Sequence, residues 1–277
     1  TYHQQEWYLS AAHLFTLAPF WNVSLATDVQ YNKLNATRLG QEALFTYPER
    51  YTFYTVLSTG VDVGRLKAQA NLLGTFTKEK VRNNYQAPNR SLFTPSVFLR
   101  YKPWDPSNFT VHAFYKQMYR LPTFNDLYYT QIGTSHLKPE LSRQFNVGFA
   151  HQVAIKSKVL KEVHLTVDAY YAQVEDKIIA SPTSSMMRWM MSNLGKVEHY
   201  GIESQIKTHW ELMQGMTAQI GATYEYTIAQ DLSLTPSGKP SFYGDQIPYT
   251  PWHSGSAIFG LDYHNWQLDY SFIYVGK

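Results

Sequence analysis

The chain has 277 residues, a formal net charge of +3 and no cysteine. The small net charge argues against nucleic acid as a partner, because nucleic-acid-binding proteins carry a concentrated basic surface. The absence of cysteine excludes disulfides and cysteine-based metal sites. Aromatic residues make up 16% of the chain, with 22 Tyr, a content typical of proteins whose rings lie at a membrane–water boundary. No apolar run reaches the roughly 18 residues of a transmembrane helix.

Alternating segments fill most of the chain. In the clearest one, Leu66–Thr77, even-numbered positions are apolar and odd-numbered positions are polar, except for Leu73. Side chains of a strand point to opposite faces in turn, so such a segment predicts a strand with one apolar and one polar face. In chain order the twelve predicted strands are Tyr8–Leu17, Val23–Asn32, Tyr51–Asp62, Leu66–Thr77, Thr94–Tyr101, Asn108–Met118, Leu141–His151, Lys161–Ala172, His199–Trp210, Thr217–Tyr226, Trp252–Asp262 and Trp266–Val275.

The connections between these strands alternate between short turns and long polar loops. Tryptophan lies at or beside the short turns, and tyrosine lies at the opposite strand ends; these residues are Trp21, Trp104, Trp210 and Trp266, and Tyr31, Tyr171, Tyr226 and Tyr274. Strands of about ten residues with this arrangement are typical of an outer-membrane β-barrel. A soluble β-sandwich is the alternative, but its strands have only about five or six residues. The predicted fold is therefore all-β, an antiparallel transmembrane β-barrel.

The period-two pattern also assigns the two faces of the sheet. Apolar residues predicted to face lipid are Leu66, Leu72, Val163, Leu165, Val167, Ile202, Ile206 and Ile220. Polar residues predicted to face the interior are Asn71, Asp168, Glu203, Gln205 and Lys207. Because these interior residues include several charges, the pattern favours a water-filled interior over a dry core.

Three segments are more specific than the periodicity. Met118–Tyr129 reads MYRLPTFNDLYY, and Gly133–Glu140 reads GTSHLKPE. They resemble the paired boxes of TonB-dependent outer-membrane receptors, except that Leu121 replaces the usual Ala and Thr134 the usual Asn. The segment NLGKVE that begins at Asn193, followed by GIE from Gly201, resembles the entry to a later strand of the same family. The box residues are Arg120, Pro122, Leu127, Pro139, Glu140, Asn193, Gly195 and Gly201.

Several box residues have a direct physical interpretation. Pro122 and Pro139 cannot donate to a sheet ladder, so each is expected to end pairing where strand becomes loop. Arg120 and Glu140 either face each other at the loop base or are two separately solvated charges. Gly195 and Gly201 suggest positive φ or a close approach of another part of the chain.

The resemblance implies a barrel of about 22 strands, of which residues 1–277 would be a partial barrel domain of about twelve. A plug domain, a TonB-contacting segment and the final strands would lie outside this chain. It further implies a protein of the Gram-negative outer membrane, surrounded by its lipid and without an intrinsic cofactor. Such a receptor takes up a scarce, bulky nutrient (an iron–siderophore, haem or cobalamin) with energy from the inner-membrane TonB complex.

Other functions remain open. Twelve strands would also suit a complete barrel that serves as a passive channel or, less readily, as an outer-membrane hydrolase. A surface adhesin or a glycan or peptide receptor of the same family is a third possibility. No Gly-x-Ser-x-Gly, His-Glu-x-x-His or P-loop motif occurs in the chain, so no enzyme and no catalytic or metal-binding residue is predicted.

Two loops carry the candidate ligand-binding residues, since binding residues concentrate on loops of a rigid scaffold. The loops are Tyr119–Glu140 and Pro182–Asn193, and the candidates are Tyr128, Tyr129, Gln131, His136, Met187, Arg188 and Trp189. Aromatic rings, flexible Met side chains and an arginine suit a large planar or anionic ligand. His136 is a candidate axial haem ligand. The alternative for each residue is packing of loop against loop.

Overall fold

A computed structural model describes residues 2–37, 45–104, 108–129, 132–182, 189–193, 195–233, 243–247 and 250–276. Over these residues, twelve strands form one sheet that follows chain order, and every neighbouring pair is antiparallel. Two further short strands, which come between the eighth and ninth strands of that sheet along the chain, pair with each other as a small hairpin. Over the described ranges, no helix is both long and apolar enough to cross a membrane.

The strands of the large sheet are β1 Tyr2–Ala18, β2 Trp21–Ala36, β3 Glu49–Val63, β4 Leu66–Lys80, β5 Arg90–Tyr101, β6 Asn108–Arg120, β7 Glu140–Ala154, β8 Leu160–Glu175, β11 Val197–Met213, β12 Met216–Asp231, β13 His253–Tyr263 and β14 Trp266–Val275. The small hairpin consists of β9 Ile178–Pro182 and β10 Trp189–Asn193. One short helix, α1, spans Phe124–Tyr128.

All twelve predicted strands are present, and most extend beyond their predicted bounds, chiefly at the ends next to long loops. The extension is clear where Lys33 of β2 pairs with Glu49 of β3, which pairs in turn with Lys80 of β4. Charged residues there interrupt the apolar alternation, but the backbone ladder continues because it needs no apolar side chain. Hydrophobic alternation therefore marks the apolar band of each strand and not the full length of its hydrogen bonding.

The alternation of short and long connections is confirmed. Successive connections of an antiparallel sheet lie at opposite ends, so the short turns form one rim, here called the short-turn rim, and the long loops form the long-loop rim. Trp21, Trp104 and Trp210 lie at the short-turn rim, as predicted. The Trp104 and Phe109 rings stack there with centroids 5.1 Å apart.

At the long-loop rim, Tyr31 of β2 contacts Tyr51 of the neighbouring strand β3, with ring centroids 4.8 Å apart. Tyr115 and Phe145 make a similar contact at 4.8 Å, and Phe145 lies 6.3 Å from Tyr171. These rings therefore form a second aromatic row, separate from the row at the short-turn rim.

Two elements inside the predicted loops were not expected. The β9–β10 hairpin lies within a segment predicted as loop, because strands of five residues are too short to show an alternating pattern. Helix α1 lies in Tyr119–Glu140, also predicted as loop. The Thr123-x-x-Asp126 spacing is a capping-box pattern and was the signal that could have predicted this helix.

The register separates the two faces of the sheet as predicted. Leu165 of β8 pairs with Ile206 of β11 on one face, and Asp168 of β8 pairs with Glu203 of β11 on the opposite face. Ile202, Ile206 and Ile220 are among the exposed apolar residues. The apolar face thus remains unburied by the chain itself, as a surface in contact with lipid requires.

The sheet curves toward its polar face. His112 of β6 reaches Asp168 of β8 at 2.6 Å although β7 lies between them. The register places Gly148 of β7 directly between this pair, and a Cβ there would meet the Asp168 carboxylate oxygen at 2.4 Å. Thr75 and Tyr119 hydrogen-bond across β5 in the same way. Since β1 and β14 stand at the two ends of the strand order, the sheet is open over the described residues.

Candidate functional site

Three long loops meet at the long-loop rim, and Arg120 at the end of β6 ties them to the sheet. Its guanidinium donates to Asp126 Oδ2 at 3.3 Å and to Glu140 Oε1 at 2.8 Å. Glu140 Oε1 also accepts the backbone N–H of Ile178 at 2.7 Å. Of the two alternatives left open by the sequence, the structure shows the ion pair. Arg120 therefore joins the base of one loop to α1, and Glu140 joins it to the β9–β10 hairpin.

Helix α1 is set by its N-terminal cap. Thr123 Oγ1 accepts the Asp126 N–H at 3.1 Å, and Asp126 Oδ2 accepts the Thr123 N–H at 2.8 Å. Two N–H groups that a helix start leaves unpaired are thereby satisfied. Pro122 precedes the cap and is fully buried. Asp126 thus serves both as cap and as partner of Arg120, which fixes the direction in which α1 leaves the sheet.

A small apolar core lies beneath α1. Its buried members come from three loops and are Ala87, Leu127, Tyr128, Leu137 and Ile178. The Tyr128 hydroxyl accepts the Ala87 N–H at 3.0 Å, and burial raises the pKa of that hydroxyl. Arg90 donates to the carbonyl of Leu137 from below. The three loops consequently pack against one another as one unit.

Asn193 clamps the β9–β10 hairpin to this unit. Its Nδ2 donates to the carbonyls of Lys138 at 2.9 Å and Asp176 at 2.7 Å, and its Oδ1 accepts the Lys138 N–H at 2.7 Å. Two hydrogen bonds of the Met191 backbone reinforce the clamp: its N–H donates to the Ile132 carbonyl and its carbonyl accepts the Thr134 hydroxyl, each at 2.8 Å. An amide side chain suits this position because it both donates and accepts.

Glycine is required at the two box positions 195 and 201 for different structural reasons. Gly195 has φ of +100°, a conformation that side chains rarely adopt. Gly201 has no such torsion, but a Cβ there would lie 2.1 Å from the Tyr226 carbonyl oxygen and 2.8 Å from the Tyr170 hydroxyl. Positive φ and close approach, the two possibilities raised by the sequence, thus each apply to one glycine.

The candidate ligand-binding residues occupy different environments. Tyr128 is only 7% exposed and belongs to the apolar core, whereas Tyr129, the next residue, is 48% exposed. His136 lies beside Ser135, with Nδ1 3.3 Å from Ser135 Oγ. Three candidates, Gln131, Met187 and Arg188, lie outside the described residues. The side chain of Trp189 lies outside the described part of the structure as well. A ligand-binding role for each of the seven stays a prediction.

A cavity of about 550 Å³, here called the rim pocket, opens beside α1 at the long-loop rim. The start of β1, Leu34 of β2, the segment before β3, and α1 with its two flanking residues line it. Its walls include Tyr2, Gln4, Phe45, Phe124, Asn125 and Tyr129. Of the candidates from sequence analysis, Tyr128 and Tyr129 line this cavity. The residues from β1, from β2 and from the segment before β3 were missed, because they are distant along the chain and no local pattern links them.

The polar face carries a second, wider cavity of about 890 Å³ toward the same rim. Asp168, Glu203 and Glu225 stand side by side in register on β8, β11 and β12 within its wall. Glu225 Oε1 accepts the Tyr170 hydroxyl at 3.1 Å and the Thr227 hydroxyl at 2.6 Å. In the described part of the chain no group of three or more metal-ligating side chains converges.

These features define a class of protein: an antiparallel membrane sheet with an apolar outer face, a polar inner face and interlocked loops on one rim. The family model "TonB dependent receptor-like, beta-barrel" matches residues 50–277, which is more than half of the chain. The chain therefore belongs to the TonB-dependent receptor family, whose members are receptors and transporters of the Gram-negative outer membrane and not enzymes.

Two curated relatives are both described as "Vitamin B12 transporter BtuB". The protein of Vibrio vulnificus is 38% identical over 85 residues, which cover 31% of this chain and 13% of that protein. The protein of Photobacterium profundum is 25% identical over 168 residues, which cover 57% of this chain and 23% of that protein. This chain thus spans only a small part of the length of the curated relatives it matches.

Solved structures share the fold at low identity. "Copper transporter OprC" matches with a TM-score of 0.70 and 14% identity over 98% of this chain and 42% of that one. The FrpB iron transporter of Neisseria meningitidis matches with a TM-score of 0.64 and 13% identity, over 95% of this chain and 41% of that one. The Serratia marcescens hemophore receptor HasR, solved with its hemophore and heme, matches with a TM-score of 0.66 and 15% identity, over 94% of this chain and 49% of that one. At these identities the matches show the fold alone.

Proposed function

We propose that this chain is part of a receptor that carries a scarce, bulky nutrient across the outer membrane by energy-coupled transport. The observation that carries the proposal is the family match over residues 50–277. Three long loops locked together at one rim, above a wide polar face, support it, since such a rim offers a rigid frame for capture. Twelve strands would also suit a passive channel, but the sheet is open over the described residues.

Cobalamin is the ligand we propose to test first. Both curated relatives are named as vitamin B12 transporters, although neither matches the whole chain. The titles of the solved structures mention iron, copper, heme and peptide, so the shared fold does not choose among ligands. An iron–siderophore and haem are therefore the other candidates, and a peptide receptor is the further alternative.

The partners follow from the same proposal. The outer membrane holds no energy source, so the receptor would depend on the inner-membrane TonB complex, contacted through a plug-bearing part outside residues 1–277. The apolar face, with Ile202, Ile206 and Ile220 exposed, would contact outer-membrane lipid. No resident cofactor is proposed, because the nutrient is cargo.

Uptake by the source bacterium tests the proposal. Deletion of the full-length gene should abolish uptake of labelled cyanocobalamin, and complementation should restore it. Removal of TonB in the complemented strain should abolish uptake again. Uptake that continues without TonB would instead identify a passive channel, and loss of haem or ferric-siderophore uptake with cobalamin unaffected would reassign the ligand.

Single substitutions in the same strain separate the ligand classes further. His136→Ala should abolish haem-dependent growth if that imidazole is an axial haem ligand, and should leave cobalamin uptake unchanged. Tyr129→Ala should weaken capture of any ligand that contacts the exposed ring. Tyr85→Ala is the matched control, because Tyr85 is 81% exposed on a neighbouring loop of the same rim and does not line the rim pocket.

A further inference from the structure

The rim pocket has walls of a particular chemical kind. Tyr2 and Phe45 form one wall with ring centroids 5.9 Å apart, and Phe124 and Tyr129 line the cavity from the α1 side. With Tyr128, five rings from three separate segments thus line one cavity of about 550 Å³. Aromatic surfaces favour flat partners, because stacked and edge-to-face contacts require a planar group.

The charges near the pocket are already neutralised. The Arg50 guanidinium lies 5.2 Å from the centre of the Phe124 ring and pairs with Glu79 at 2.5 Å. Arg50 therefore holds the ring in place with its charge matched by Glu79. None of the described residues that line the cavity is charged. An ionised ligand group would lose its hydration there without gaining an opposite charge, so the pocket favours a neutral one.

Two side-chain amides supply the polar edge. Gln4 and Asn125 line the cavity, and both are exposed. Neither amide has a hydrogen-bond partner within the described ranges. The other polar group of that edge, the Thr123 hydroxyl, accepts the Asp126 N–H as helix cap. Each amide can donate and accept, so together they suit ring nitrogens and other neutral polar atoms.

We infer that the rim pocket accepts one neutral, flat, fused aromatic or heteroaromatic ring of the transported ligand. The ring would stack against Phe124 and Tyr129 and present its polar edge to Gln4 and Asn125. Small-molecule pockets have volumes of roughly 300–1,000 Å³, so a cavity of about 550 Å³ takes a two-ring group and not a whole corrin or porphyrin. It is therefore a subsite for part of the ligand.

This inference rests on the proposed uptake function and narrows its ligand class. Cobalamin and cobinamide make a matched pair for the test, because they share the corrin and differ in the heteroaromatic nucleotide base. In the purified full-length receptor, Tyr129→Ala should weaken cobalamin binding by about five- to tenfold through the lost ring contact. It should leave cobinamide binding unchanged, and Tyr85→Ala should change neither.

Equal weakening of both corrinoids by Tyr129→Ala, or no weakening of either, would overturn the assignment. Free benzimidazole and 2-naphthoate give a second readout by ligand-detected NMR. The neutral benzimidazole should bind the wild-type receptor and lose binding in Tyr129→Ala, whereas the anionic 2-naphthoate should bind at least tenfold more weakly. Comparable binding of the two probes would contradict the neutral-ring requirement.

The same measurements distinguish the two proposals. A receptor that binds no corrinoid, yet binds benzimidazole in a Tyr129-dependent way, would reject cobalamin as cargo and uphold the pocket. A receptor that takes up cobalamin but ignores benzimidazole and the Tyr129 substitution would uphold the function and reject the pocket.

Discussion

At the residue scale, the box residues hold the loops of the long-loop rim together. Arg120 contacts Asp126 and Glu140 at the same time, which only a planar guanidinium with several donors can do well. Asp126 in turn caps α1. Each of these residues therefore supports more than one segment, and their effects on stability should be larger than those of ordinary surface charges.

Arg120→Ala should lower the free energy of unfolding by roughly 1–2 kcal/mol, because Asp126 and Glu140 both lose a charged donor. Arg120→Lys should recover only part of the loss, since an ammonium lacks the fork geometry. Denaturant unfolding of the full-length receptor in lipid measures both. Lys67→Ala is the control: the side chains of the Lys67–Asp62 pair are 61% and 54% exposed, so the pair should contribute less than about 1 kcal/mol. Equal losses in Arg120→Ala and Lys67→Ala would contradict the prediction.

Gly201→Ala tests the close approach between strands. The added methyl group would meet the Tyr226 carbonyl at 2.1 Å, so backbone must shift at a cost of roughly 1–3 kcal/mol. Gly260→Ala is matched, because its Cβ would meet side-chain atoms and no backbone: the Asp269 carboxylate oxygen at 3.1 Å and Gln219 Cβ at 4.0 Å. Thermal unfolding of the two variants should differ in midpoint, with Gly201→Ala clearly lower; identical midpoints would refute the steric argument.

At the element scale, the β9–β10 hairpin and α1 depend on each other. Neither is long enough to be stable alone, since isolated helices and hairpins of this size are marginal in water. Asn193 and the Met191 backbone attach the hairpin to the loop that carries Lys138 and Ile132. Order in one element is therefore expected to require order in the other.

Asn193→Ala should release this hairpin without unfolding the sheet. Amide hydrogen exchange in residues 132–139 and 189–193 should accelerate, because the substitution removes all three hydrogen bonds of the Asn193 side chain. Lys138→Ala is the control: the clamp uses only the Lys138 backbone. The Lys138 side chain is 68% exposed and its ion pair with Asp176 is long, at 3.7 Å, so the loss of that pair should change little. Acceleration in both variants would show that the loop, and not the amide clamp, sets the protection.

At the scale of the whole molecule, the sheet separates an apolar face from a polar one over all twelve strands. Charged and polar contacts such as His112–Asp168 at 2.6 Å lie on the polar face, while large apolar side chains of the other face are exposed. The polar contacts reach across intervening strands, as the curvature of the sheet toward its polar face allows.

Val167→Arg should cost roughly 2–4 kcal/mol of stability if residue 167 lies near the bilayer midplane, because the charge must leave water. Thr166→Arg, the adjacent position on the opposite face, should be tolerated with a much smaller loss. Reversible folding of the full-length barrel into lipid vesicles compares them. Similar stability of the two variants would contradict the face assignment of β8, and a larger loss in Thr166→Arg would reverse it.

The sequence by itself determined the twelve strands of the large sheet, their faces and the two rims, because alternation and turn length are local properties that repeat along the chain. The box segments indicated the family, whereas the β9–β10 hairpin and α1 were not predicted. The sequence also located Arg120, Asn193 and both box glycines, although it left the Arg120–Glu140 contact undecided. Only the tertiary structure decided that Tyr128 is buried while Tyr129 is exposed, and that Tyr2, Phe45 and Phe124 line one cavity. Loop conformation depends on contacts between residues far apart in sequence, such as Tyr128 with Ala87, and no local pattern encodes them.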